Sequence, residues 1–173
     1  MSDPNVTDAG GASGRQAPGN SGSSTDFYLP EGLPIPVPEA NGLSKPFWDG
    51  LREEKIMVQR NPKTGVYQFP PQWMNHDDQT FDVEWVEAPP RGTIYSWTRS
   101  WHPVHPALKE AVPYIVVIVE LENSGGVRML GNLLGDPRQE VKIGTPVSAI
   151  FEHHENADPA HTLLQWQVSG EGN

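Results

Sequence analysis

From residue 83 onward the chain repeats one pattern: five to nine residues in which apolar and polar side chains alternate, then a turn rich in Gly or Pro. The runs lie at 83–87, 92–100, 114–121, 127–134, 146–153 and 162–168. A period of two is that of a β-strand with one face buried, and six such runs with short connections point to a small barrel or sandwich. In 114–121 the alternation puts Ile115, Val117, Val119 and Leu121 on one face, which is the expected core. In 92–100 and the residue beyond, it puts Tyr95, Trp97, Arg99 and Trp101 together on one face.

Eighteen Pro and 17 Gly among 173 residues favour turns and extended segments over long helices, so a mainly β fold is expected. The formal net charge of -10 repels phosphate backbones and anionic lipid, so neither nucleic acid nor membrane is an expected partner. A local basic pocket still allows a phosphorylated small molecule such as a coenzyme A ester. Cysteine is absent, which removes disulfides, thiolate nucleophiles and thiolate zinc sites. The first residues form neither a basic nor an apolar leader, and no run approaches the ~18 apolar residues of a membrane span, so a cytoplasmic location is expected.

Residues 1–26 are mostly Gly, Ser, Asn, Asp and Ala and read as a disordered tail, and residues 170–173 as a short C-terminal tail. Residues 27–43 interleave Pro30, Pro34, Pro36 and Pro38 with Phe27, Tyr28, Leu29, Leu33, Ile35 and Val37. That stretch is either a stiff linker or an extended arm that docks through its apolar side chains. Within 44–82, Ser44 as N-cap and Pro46 in the first turn predict a helix of about three turns over 45–55, with Phe47, Trp48 and Leu51 as its apolar stripe. Two short strands come next, at 56–59 and 66–69, joined by the turn Asn61-Pro62-Lys63-Thr64-Gly65. Residues 83–169 form the barrel unit.

Five phrases in order, KPFWDGLREEKIMVQR, YQFPPQ, VEWVEAPPRGTIYSWT, VPYIVVIVELENSGGVRMLGNLLG and VKIGTPVSAIFE, resemble a family of zinc-ribbon plus OB-fold proteins. Members accompany thiolase-like and hydratase-like enzymes that act on CoA thioesters. The resemblance implies a short N-terminal helix, a rubredoxin-like ribbon hairpin and an OB-fold barrel of five to six strands. The family's metal-binding cysteine pairs would fall near Asn61 and Thr64 and near Asn75 and Asp78, none of which is a thiolate. A degenerate ribbon without zinc is therefore expected, held together by burial of Tyr67, Phe69, Trp73, Met74 and Phe81.

By the same resemblance the chain is a non-catalytic accessory subunit that binds and stabilises a thiolase-fold enzyme, of ketothiolase or aldolase type, and helps form its acyl-CoA site. The alternatives are a hot-dog-fold enoyl-CoA hydratase as partner, or a stand-alone OB module for single-stranded nucleic acid or oligosaccharide. No hydrolase, metalloprotease, phosphate-loop or dinucleotide motif is present, so no catalytic residue is expected. Phe47, Trp48, Leu51, Tyr67, Phe69 and Trp73 are the expected partner interface, although for the helix stripe taken by itself core packing is the favoured reading. Arg99 and Arg128 each interrupt an apolar strand and are candidate CoA contacts, or else stems that cover apolar surface. His102, His105, His153 and His154 read as surface or loop histidines rather than metal ligands, since neighbours along a strand point to opposite faces.

Overall fold

A computed structural model describes residues 42–170 together with Tyr28, Pro30 and residues 32–34. The expectation for the tail at 1–26 concerns residues outside this set.

Helix α1 spans Lys45–Arg52, two turns and not three. It stops because Glu54 takes a positive φ of 59°, while the Glu53 and Lys55 amides both return to the Gly50 carbonyl. Ser44 precedes the helix at φ -89°, ψ 2°, away from the extended geometry a side-chain cap needs, and its hydroxyl makes no cap bond. Its carbonyl instead accepts from the Phe47 and Trp48 amides. So short a helix depends on tertiary packing. Leu51 supplies it, 1% exposed in the same apolar cluster as Ile56, Val58, Ile94, Val119 and Trp166.

Strands β1 (Ile56–Arg60), β2 (Tyr67–Gln68) and β3 (Glu84–Ala88) form an antiparallel sheet in the order β2-β1-β3. The run at 83–87, read from sequence as the head of the barrel, thus hydrogen-bonds to β1, with Val58 opposite Val86. Local alternation identifies a strand and leaves its neighbour open.

The second sheet holds β4 (Arg91–Ser100), β5 (Tyr114–Leu121), β6 (Arg128–Asn132), β7 (Pro146–His154) and β8 (His161–Val168) in the order β6-β5-β4-β7-β8. It curls until its edges meet at a parallel bridge between Leu133 and Trp166, where the Leu134 amide reaches the Trp166 carbonyl at 2.7 Å. The mainly β architecture, with one short helix and a curled antiparallel sheet, is that of an OB-fold. Ile115, Val117, Val119 and Leu121 all point into the core, as the alternation requires. The small sheet, α1 and the barrel share one core, and full burial of each aliphatic side chain there contributes about 1.5–3 kcal/mol.

Candidate functional site

The row of aromatics expected along β4 is split. Ile94 lies opposite Val119 and Ser96 opposite Ile118, so Tyr95 is an extra residue in a bulge. One extra residue reverses the phase of the alternation. Beyond it Trp97 stands opposite Val117 and Arg99 opposite Ile115, on the core-facing side. Strand β7 pairs with β4 only over Arg91–Thr93, and the segment between β6 and β7 takes over beyond that point, with the Gly144 amide on the Ile94 carbonyl.

The two candidate arginines therefore differ. Arg99 donates from Nε to the Pro137 carbonyl at 2.9 Å and from Nη2 to the Gln139 carbonyl, which commits it to holding that segment. Arg128 lies on the other face, its guanidinium 3.4 Å from the centre of the Tyr95 ring and its Nε 2.9 Å from a Glu120 oxygen. Its terminal nitrogens make no hydrogen bond among the described residues.

Of the expected interface residues, Leu51 has no surface to present and supports α1 from beneath. Phe47 and Trp48 are half-buried, pack edge to face at 5.3 Å, and with Phe69 border an apolar groove of about 310 Å³ against β6 and β8. Tyr67 packs below the turn between β5 and β6, with Arg60 5.8 Å from its ring centre. Trp73 stays 60% exposed and Phe81, which sequence reading assigned to the small unit's interior, is 75% exposed. Both border a second hollow, of about 260 Å³, with Trp85 and Leu43. Burial of Tyr67 and Phe69 is partial, so apolar packing is only part of what holds the small unit.

The rest is polar. Asn61, fully buried, accepts the Lys63 amide at 2.9 Å on its side-chain oxygen and donates to the Asp77 carboxylate. Thr64 also donates its hydroxyl to Asp77. Asn75, 1% exposed, donates to the Thr80 hydroxyl and to the Asp82 carbonyl at 3.0 and 2.7 Å. The acidic pair Asp77-Asp78 is exposed but engaged. The Thr64 hydroxyl, and then the Asn61 amide, hold the Asp77 carboxyl below its ordinary value; the Thr80 hydroxyl does the same for Asp78. Among the described residues, no three His, Cys, Asp or Glu side chains cluster so as to hold a metal.

His102 is exposed, and the other candidate histidines take structural partners. His105 Nδ1 accepts the Ala107 amide at the head of a short 3-10 turn, Pro106–Leu108. His153 meets Thr162 at 3.0 Å, and His154 meets Glu152 at 2.7 Å while stacking on His161. Glu152 also accepts the Tyr28 amide at 3.1 Å, so part of the Pro-rich stretch is docked on the barrel. Sequence reading missed Glu152, because only the fold brings it beside residue 28, and His161, because only the pairing of β7 with β8 brings it onto His154.

It also missed the largest of these clefts, about 440 Å³ between the small sheet and the β5–β6 turn, bordered by Tyr67, Pro70, Gln72, His76, Gly126 and Arg128. No helix of the described residues is long and apolar enough to cross a membrane.

Residues 85–152 match the family model of the ChsH2 C-terminal OB-fold domain. The chain is 32% identical over 151 residues to the 3-oxo-4,17-pregnadiene-20-carboxyl-CoA hydratase alpha subunit of Mycobacterium tuberculosis, covering 81% of this chain and 46% of that protein. It is 32% identical over 128 residues to a probable enoyl-CoA hydratase alpha subunit of Thermomonospora curvata, covering 74% and 38%. The chain spans less than half the length of either curated relative. A DUF35-family protein of unknown function from Sulfolobus solfataricus, 18% identical at a TM-score of 0.50 over 73% of this chain and 85% of that one, shares the fold. A chain of the solved Ltp2-ChsH2(DUF35) aldolase is 30% identical at a TM-score of 0.65, over 76% of this chain and 98% of that one. On that match, together with the family model, the chain belongs to the DUF35 family, the family of the ChsH2 C-terminal OB-fold domain.

Proposed function

We propose that this chain is a non-catalytic OB-fold subunit that binds and stabilises an enzyme acting on acyl-CoA thioesters, and that it helps form that enzyme's acyl-CoA site. The observation that carries the reading is its likeness to 98% of a chain from the Ltp2-ChsH2(DUF35) aldolase. That likeness favours an aldolase as the partner, taken here to be of the thiolase fold that the sequence resemblance implies, with carbon–carbon bond cleavage or formation as its chemistry. The names of the curated relatives favour a second reading, in which the partner is an enoyl-CoA hydratase. In either case the partner supplies the catalytic groups. Among the described residues no three His, Cys, Asp or Glu side chains cluster to hold a metal, the Thr162 hydroxyl that meets His153 is buried, and Arg99 is spent on backbone carbonyls.

The surface proposed for the partner joins the Phe47–Trp48–Phe69 groove to the exposed ring of Trp73, with Tyr67 behind them. Exposed aromatic side chains beside apolar hollows are the usual anchors of protein interfaces.

Co-expression with a thiolase-fold candidate and, separately, with a hydratase candidate, each followed by size-exclusion chromatography and assay, tests the proposal. Co-elution with one of them, and activity in the complex but not in this chain alone, is expected. Elution as a free monomer beside both candidates, or turnover of an acyl-CoA by the chain alone, would overturn it.

A further inference from the structure

We propose that the far half of β4, from Trp97 to Trp101, receives an extended acidic segment of a partner polypeptide, which adds to the barrel sheet as one more strand. This surface shares no residue with the one assigned to the partner enzyme above and stands on its own observations.

The backbone edge is the first of them. β4 runs for ten residues and pairs with β5 from Gly92 to Ser100. On its other side β7 covers only Arg91–Thr93, and the last backbone bonds are those of Ile94 with Gly144 and Thr145. From Tyr95 to Ser100 no backbone hydrogen bond is made on that side among the described residues. Trp97 lies on the core-facing side of the strand and Thr98 on the other, and both are exposed, so neither face of this end is covered. An open row of N–H and C=O groups is a template for a further strand.

The side chains along the edge select its charge. Arg99 lies 5.4 Å from the ring centre of Trp97, and Arg138 lies 5.5 Å from that of Trp101, which is 59% exposed. Arg99 spends its donors on the Pro137 and Gln139 carbonyls, which hold the guanidinium without neutralising it. Asp136 accepts the Arg138 amide at 2.8 Å and not its guanidinium. Among the described residues neither arginine forms an ion pair, and Lys142 of the same segment is cancelled by Glu140 at 3.3 Å. Two uncompensated positive charges therefore stand at this edge, in a chain of net charge -10.

Alternation fixes the pattern that fits. On one face of an added strand, apolar side chains would lie against Trp97 and Trp101, with carboxylates between and beyond them against Arg99 and Arg138. A second copy of this chain would instead set the same cations against one another, which disfavours pairing of the edge with itself.

The test titrates the full-length chain with two octapeptides, Ac-TVTETVTE-amide and Ac-TVTKTVTK-amide, followed by calorimetry and amide NMR. Only the acidic peptide is expected to bind, with shifts from Trp97 to Trp101 and at Arg138. W101A is expected to weaken it about tenfold or more, and R138E to cut the preference for the acidic peptide by a similar factor. W73A is expected to bind the peptide unchanged, so this surface and the one on the small sheet stand or fail separately. Absence of binding, shifts that map elsewhere, equal binding of the lysine peptide, or self-association abolished by W101A would overturn the proposal. Should W101A not fold, R138E, which alters an exposed side chain, decides.

Discussion

The Asn61 side-chain amide donates to both oxygens of the Asp77 carboxylate, at 3.0 and 3.2 Å, and so ties the turn after β1 to the turn that precedes β3. Thr64 donates to the same carboxylate. Three hydrogen bonds from two side chains, Asn61 and Thr64, thus join the two turns through one carboxylate.

Replacing Asn61 by Ala removes a fully buried group and strands the Lys63 amide. Asn61→Ala is expected to lower stability by about 2–3 kcal/mol, read from chemical denaturation. The unaltered protein is expected to keep its thermal transition in chelator and to contain no stoichiometric zinc. Elemental analysis giving about one zinc per chain, with unfolding on chelation, would refute this account.

Acid should loosen the same turns. Asp77 and Asp78 both have carboxyls held below their ordinary value near 3.8, so the folded state binds fewer protons than the unfolded one. Their contribution is present above that value and is lost as pH falls through the depressed folded values. Stability measured downward from pH 5 is expected to drop below about pH 4. In Asp77→Asn the part of that drop due to Asp77 should disappear, while stability at neutral pH falls.

Trp73 and Trp48 separate binding from folding. Trp73 is largely exposed, so Trp73→Ala is expected to leave the denaturation midpoint nearly unchanged and to weaken partner binding by roughly thirtyfold, as for a central aromatic anchor. Trp48→Ala should lower both, because its ring packs on the core as well as bordering the groove. A Trp73→Ala protein with unaltered partner affinity would move the interface away from the small sheet.

Gly131 is required by close approach. A Cβ there would lie 2.7 Å from both the Leu164 carbonyl and Trp166 Cδ1, where β6 and β8 converge. Gly131→Ala is expected to cost about 1–3 kcal/mol and to perturb the fluorescence of the buried Trp166. Gly126→Ala, which meets no neighbour but needs φ +83°, should cost less and leave that emission unaltered.

Docking of the Tyr28 segment depends on Glu152. Glu152→Gln keeps shape but removes the charge that draws the Tyr28 amide, His154 and Gln165 together. Faster limited proteolysis N-terminal to residue 42 is expected, with the barrel left intact.

Period and composition alone located almost every strand, the core face of β5 and the start of α1, because these depend on neighbours two to four residues apart. The exclusion of thiolate chemistry needed only a count. The partner of β3, the phase change at Tyr95 and the fate of the two arginines depend on contacts between residues far apart in the chain. A bulge adds one residue without leaving a signature in the alternation around it. Arg99 and Arg128 look alike in sequence, each a cation in an apolar strand, yet one is used by the carbonyls of Pro137 and Gln139 while the other keeps a free edge. Only the closing of the sheet, which brings loops from distant segments over one face and leaves the other open, decided which was which.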